Sequence, residues 1–186
     1  NNGISGIEKF FDYELKKRNE PLNLTVDADI QFLIREELIK AQEIFQNIGS
    51  ASILMNVNNG NILSMVSLPD FDLNKREDIQ DVNYINRATK GVYELGSVFK
   101  TFTFAAGLNE GEIKPETQFI DLKKKITCAG RLIGEYDDKI PSDLTAEQIL
   151  IRSGNIGSVR IGQKVGIEKL KLFLENIGVL NKIEFD

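Results

Sequence analysis

Histidine and tryptophan are absent from the 186 residues, and cysteine occurs once, as Cys128. Without histidine, Ser-His-Asp and Cys-His catalysis and His-ligated zinc or haem are excluded. A single cysteine allows no internal disulfide, no Cys-cluster metal site and no CxxC redox pair. Its default reading is a small residue in a strand region rather than a site. Long apolar runs are missing as well: none approaches the ~18 residues of a membrane span, and no signal peptide is visible. Positive charge is not in excess. The net charge is -5, so the chain has no global basic footprint for nucleic acid. The densest basic spot, Lys123-Lys124-Lys125, reads as a solvated turn or strand end. Any enzymatic base near neutral pH must therefore be Lys, Asp, Glu, Tyr or a cofactor.

What is present describes one soluble globular domain, 41% hydrophobic and 27% charged, with enough chain for a real core. The first residue is Asn1 rather than Met, so an excised or processed piece is expected, its missing flank being the place for a targeting or anchor segment.

Ile4, Ile7, Phe10, Phe11 and Leu15 recur at roughly helical spacing and predict a short amphipathic helix within 1–20. Pro21 breaks it, and Leu22-Asn23-Leu24-Thr25-Val26 alternates as a strand does. Asp27 or Asp29 then caps a long helix closed by Gly49. Its apolar face is Ile30, Leu33, Ile34, Leu38, Ala41, Phe45 and Ile48. Two strands, 51–57 and 61–66, flank Asn58-Asn59-Gly60, which has the chemistry of a hairpin turn. Both strands are apolar on both faces, which suggests a central sheet with helices on each side. Pro69 ends the second strand, and 70–92 reads as a polar loop that includes Asn83-Tyr84-Ile85-Asn86-Arg87.

The second half reads as mostly helix. An apolar helix covers 97–109, and a turn follows over 111–115. An irregular strand region spans about 120–136. Thr145 with Gln148 forms a capping box, and further helices cover 158–165 and 167–177. A hairpin between helical blocks predicts a helix-sheet-helix sandwich of the α+β class.

Two short motifs carry chemistry. Ser97-Val98-Phe99-Lys100 is an S-x-x-K at a helix start, a spacing that brings both side chains to one face. A serine hydroxyl needs a base to become a nucleophile, and lysine serves once burial disfavours its ammonium. The segment from Val98 to Ala106 holds no other charge, which suits such a lysine. The amide dipoles at the helix start also favour negative charge developing on Ser97. Taken alone, this motif also arises by chance in chains of this length. Ser153-Gly154-Asn155, in a glycine-interrupted break between helices, can turn a hydroxyl and an amide toward a cleft. Its bland reading is a helix cap, since Ser and Asn are favoured N-caps and Gly a favoured C-cap. S-x-x-K followed by S-x-N is the order found in penicillin-interacting serine enzymes.

From these residues the chain resembles class B penicillin-binding proteins, the D,D-transpeptidases of bacterial cell division or elongation, the division type fitting slightly better on the short region between the two motifs. The likeness extends to Gly3-Ile4-Ser5-Gly6-Ile7-Glu8-Lys9, which looks like the end of the family's N-terminal pedestal. It includes Leu24-Thr25-Val26-Asp27-Ala28-Asp29-Ile30-Gln31, the first hairpin over 59–69, Asn86-Arg87-Ala88 and Tyr93-Glu94-Leu95-Gly96-Ser97. Residues 1–20 then correspond to the pedestal end and 21–186 to the front of a transpeptidase domain, a β-lactamase-like α+β sandwich incomplete at its C-terminal side. Leu95 stands where the family usually has Pro, and Gly154 where a second Ser is frequent. The third motif, Lys-Thr/Ser-Gly, occurs nowhere in these residues, so the chain by itself is expected to be inactive or severely crippled.

The resemblance implies Ser97 as nucleophile, Lys100 as general base, Ser153 as proton relay and Asn155 as a hydrogen-bond partner of the substrate's peptide backbone. It implies no cofactor and no metal. The implied partners are peptidoglycan stem peptides, β-lactam antibiotics, a membrane glycosyltransferase and other division proteins. The implied location is the outer face of the cytoplasmic membrane, held by an N-terminal anchor outside these residues. Two other readings stand beside it. One is a class D-like β-lactamase or β-lactam sensor, which usually carries S-x-V where Asn155 lies here. The other is a non-catalytic division scaffold, which retention of Ser97 and Lys100 speaks against.

Overall fold

The computed structural model describes residues 2–3, 6–17, 20–72 and 85–182. These fall into two compact units that divide between Tyr93 and Glu94. Ile4 of the expected first helix and Asn83-Tyr84 of the polar loop lie outside the described residues.

The first unit begins with two short helices, α1 (Gly6–Phe10) and α2 (Asp12–Lys17), where one was expected. The strand expected over 22–26 is not formed. That segment is irregular and is tied down by Thr25 Oγ1 donating to Ile62 O and Asp27 N–H to Leu63 O. Helix α3 (Ala28–Phe45) is capped by Asp27, whose carboxylate accepts the N–H groups of Asp29 and Ile30. It stops before Gly49, because Gln46 takes the left-handed conformation (φ 52°) and returns its N–H to Gln42 O. Its packed stripe also differs from the apolar one. Ile30, Ile34, Leu38 and Ala41 are half-buried, but Leu33 and Phe45 are exposed. Gln31 is the reason. Its amide donates to Met65 O and accepts from Met65 N–H and Ser64 Oγ, which turns the helix toward the hairpin along a polar residue.

That hairpin is β1 (Ser50–Met55) with β2 (Ile62–Leu68), antiparallel, Ile53 facing Met65. Its loop is built as expected. Gly60 has a φ of 75°, and the Asn56 and Asn59 side chains accept the N–H groups two residues onward. Ser64, fully buried, meets α3. Ser67, on the opposite face, donates to Ile85 O and accepts Arg87 N–H at the start of α4 (Arg87–Lys90). Helical segments thus lie on both faces of this hairpin.

The second unit starts with a 3₁₀ turn (Gly96–Phe99) that runs into α5 (Lys100–Asn109). Two short pairs follow, β3 (Gln118–Phe119) with β6 (Leu144–Thr145), and β4 (Lys125–Cys128) with β5 (Arg131–Gly134). The β4–β5 turn is Ala129-Gly130, both at positive φ, as a two-residue hairpin loop requires. Lys124 is less free than the basic run suggested, since its ammonium donates to Asp138 O at 2.6 Å and also to Ile140 O. Thr145 and Gln148 form both halves of the capping box that opens α6 (Ala146–Ile151). Helix α7 (Asn155–Val165) begins three residues earlier than expected, and α8 (Ile167–Asn176) follows directly.

The core of this unit gathers Phe104 and Ala106 of α5, Leu144, Ile149 of α6, and Ile156, Ile161 and Val165 of α7. Burying each large aliphatic side chain contributes about 1.5–3 kcal/mol. Gly157 lets α7 sit directly on Ile149: a Cβ there would lie 2.6 Å from that fully buried side chain. Gly157→Ala is therefore expected to destabilise the protein by about 1–3 kcal/mol, although helix propensity alone favours Ala by ~1 kcal/mol. The urea midpoint measures it, and an unchanged or raised midpoint would contradict this packing.

Candidate active site

Lys100 opens α5 one turn after Ser97, and Gly96 turns the chain between them and the preceding segment with a φ of 54°. Ser97 is exposed, and its hydroxyl has no hydrogen-bond partner among the described residues. Lys100 is half-buried and points elsewhere. Its Nζ donates to Ser153 O at 2.6 Å, to Asn155 Oδ1 at 2.6 Å and to Ser153 Oγ at 3.1 Å. An ammonium has three N–H donors, and all three are used on the 153–155 loop. Lys100, Ser153 and Asn155 are thus joined directly, while Ser97 is joined to Lys100 only through the backbone, its C=O accepting the Lys100 N–H.

The 153–155 loop is the seam between α6 and α7. Ser153 N–H donates to Leu150 O at 3.0 Å, and Gly154 N–H to Ile149 O at 2.9 Å. Those two bonds form a Schellman closure of α6, with Ser153 at the left-handed position (φ 52°) that glycine usually fills. Left-handed backbone costs a non-glycine residue about 1–2 kcal/mol. The capping differs from the expected pattern, with Ser153 at the left-handed position after α6 and Gly154 as the N-cap of α7. The same turn aims the Ser153 hydroxyl and carbonyl at Lys100.

Glu135, just past β5, belongs to the site and carried no sequence signal. Its carboxylate accepts Asn155 N–H at 2.7 Å and Ile156 N–H at 2.9 Å. The neighbouring Gly134 O accepts Asn155 Nδ2 at 2.8 Å. Tyr136 OH donates to Arg152 O at 3.0 Å. A lone carboxylate in an irregular strand region has no spacing rule that links it to a helix start 20 residues on; only the β4–β5 pairing does so.

Burial holds the Lys100 ammonium below lysine's ordinary range, and the Glu135 charge opposes that shift. A cavity of about 300 Å³ lies beside Lys100, lined by Thr103, Ile133, Asn155, Ser158, Gly162 and Leu170. Among the described residues no cluster of His, Cys, Asp or Glu could hold a metal ion, and no helix is long and apolar enough to cross a membrane.

The site thus consists of an exposed serine one turn before a half-buried lysine that is held by the Ser153-Gly154-Asn155 loop. Residues 50–186 match the model of the penicillin binding protein transpeptidase domain, and the chain belongs to that family. It is 33% identical over 181 residues to the probable peptidoglycan D,D-transpeptidase FtsI of Caulobacter vibrioides, covering 95% of this chain and 30% of that protein. It is 31% identical over 177 residues to stage V sporulation protein D of Bacillus subtilis, covering 94% and 27% respectively. The fold is that of penicillin-binding protein 3 from Mycobacterium tuberculosis in complex with aztreonam. There the TM-score is 0.82 at 22% identity, over 95% of this chain and 42% of that one. The chain thus spans under a third of the length of those curated relatives and carries the α+β transpeptidase fold incompletely.

The lowered proton affinity of Lys100 has a signed consequence for stability. The unfolded chain holds the proton up to lysine's ordinary 10.5, whereas the folded one releases it earlier. Stability therefore rises with pH through the window between the lowered folded value and 10.5. Urea unfolding of wild type and Lys100→Met across that window is expected to give a difference that shifts in favour of wild type as pH rises. A difference independent of pH would contradict it.

Proposed function

We propose that this chain is the front part of the transpeptidase domain of a serine-type peptidoglycan D,D-transpeptidase acting in cell division. In this reading residues 1–20 end an N-terminal pedestal and 21–186 begin the penicillin-binding domain. The observation that carries it is the convergence of the Lys100 amine on Ser153 and Asn155, one turn from an exposed Ser97. The curated relatives named D,D-transpeptidases support it over a β-lactamase reading.

Ser97 Oγ attacks the carbonyl carbon of the penultimate D-Ala of a stem peptide, and its proton passes to Lys100 Nζ. The tetrahedral oxyanion forms beside the Ser97 N–H, at a helix start with no side-chain cap. The C–N bond then breaks, the terminal D-Ala leaves as an amine, and an ester on Ser97 remains. An amino group of a second stem attacks that ester, releases Ser97 with its proton and forms the crosslink.

Lysine acts as a base only as the neutral amine, with two N–H donors and one lone pair. One of its three bonds must then be given up or reversed. Only the bond to Ser153 Oγ can reverse, because a hydroxyl both donates and accepts, and at 3.1 Å it is also the longest of the three. That supports Ser153 as the group that passes the proton from Lys100 to the departing amine. Asn155 holds Lys100 through Oδ1, and its remaining contact to the substrate backbone completes the role the family pattern gives it.

β-Lactams mimic the D-Ala-D-Ala unit and acylate the same serine. A membrane anchor, a location outside the cytoplasmic membrane, and docking to a glycosyltransferase and other division proteins belong to this same proposal. In the full-length protein, fluorescent penicillin is expected to label Ser97 stoichiometrically, and Ser97→Ala to abolish labelling. Lys100→Met is expected to slow acylation about 10²–10⁴-fold, the range for loss of a general base. The 186 residues alone, which hold no Lys-Thr/Ser-Gly, are expected to label far below stoichiometry. Gel fluorescence against time reads all three, and undiminished labelling of Ser97→Ala would sink the assignment.

A further inference from the structure

Helix α7 starts with nothing on its N-cap to receive its free N–H groups. Gly154 occupies that position and makes no side-chain cap. Glu135 supplies the acceptor from outside the helix, one carboxylate oxygen for Asn155 N–H and the other for Ile156 N–H. Its own backbone is fixed, since Glu135 N–H donates to Lys124 O at 3.0 Å in continuation of the β4–β5 hairpin. The adjacent Gly134 O takes Asn155 Nδ2. A carbonyl can only accept and an ammonium can only donate, so these two neighbours fix the sense of the Asn155 amide, Nδ2 toward Gly134 and Oδ1 toward Lys100.

We propose that Glu135 is a positioning residue of the acyl-transfer site, its carboxylate locking the 153–155 loop so that Ser153 and Asn155 converge on the Lys100 amine. This inference rests on the reading of Ser97 and Lys100 given above. The same carboxylate bears on Lys100 through space, favouring the ammonium against burial. The other ionisable residues of the helices packed on α5 are exposed: Glu147 of α6, Arg160 and Lys164 of α7, and Glu168, Lys169, Lys171 and Glu175 of α8. Glu135 therefore couples two properties that a plain helix cap leaves separate, the geometry of the loop and the proton affinity of the base.

Two variants of the full-length protein pull these apart. Glu135→Gln keeps the size, removes the charge and turns an NH₂ group on one of the two N–H donors. Glu135→Asp keeps the charge but is shorter by one methylene and cannot reach both donors. Acylation by fluorescent penicillin is followed from about pH 6 to about pH 10, where a general base shows its titration, and rates are normalised to the end-point label. Glu135→Gln is expected to slow acylation on the order of 10-fold to 10²-fold, the scale of a ~1 Å misplacement. It is also expected to move the rising limb of the profile to lower pH, because the ammonium loses its opposing charge. Glu135→Asp is expected to lose rate similarly with the limb where wild type has it. Wild-type rates in either variant overturn the proposal, as does a limb that shifts in both variants or in neither. Should Glu135→Gln not fold, the rate of Glu135→Asp decides alone. Label that persists in Ser97→Ala overturns the transpeptidase reading instead, whatever Glu135 does.

Discussion

The second unit is organised around one charged nitrogen with three acceptors. Taking an ammonium even partly out of water without partners is costly, and for half-buried Lys100 one short loop offsets that cost with a carbonyl, a hydroxyl and an amide oxygen at once. Everything that shapes the loop then bears on the lysine. The Schellman closure of α6 sets Ser153, the capping of α7 sets Asn155, and the contact of Gly157 with Ile149 sets the spacing of the two helices. Core packing and site chemistry are therefore one problem in this unit.

The elements that could be read from the sequence were those whose signal is local. The capping box at Thr145 and Gln148, the Asn-rich turn at 58–60 and the long helix from Asp27 rest on neighbouring residues and formed as expected. Two of the failures share a cause, partners distant in sequence. The packed stripe of α3 was decided by Gln31 bonding to Ser64 and Met65, and the missing strand at 22–26 by Thr25 and Asp27 bonding to Ile62 and Leu63. The end of α3 was instead set locally, by the left-handed turn at Gln46. A polar residue on the packing face is invisible to an apolar pattern.

The candidate site divides in the same way. Ser97 and Lys100 are three residues apart and stand out as a pair, and the order of the two motifs pointed to the family that residues 50–186 match. That Lys100 would spend its donors on the 153–155 loop rather than on Ser97 follows from tertiary placement. Glu135 was out of reach altogether, since only the β4–β5 hairpin carries it to α7.

Ser153 sits where backbone geometry asks for glycine, and its hydroxyl is the one the proposed proton relay requires. Substitution by glycine would relax the main chain while emptying the position of its chemistry. On the proposed mechanism, a substitution chosen for stability alone would thus work against activity at this site. In the proposed mechanism that small conformational penalty is the cost of keeping a proton-passing hydroxyl at the turn.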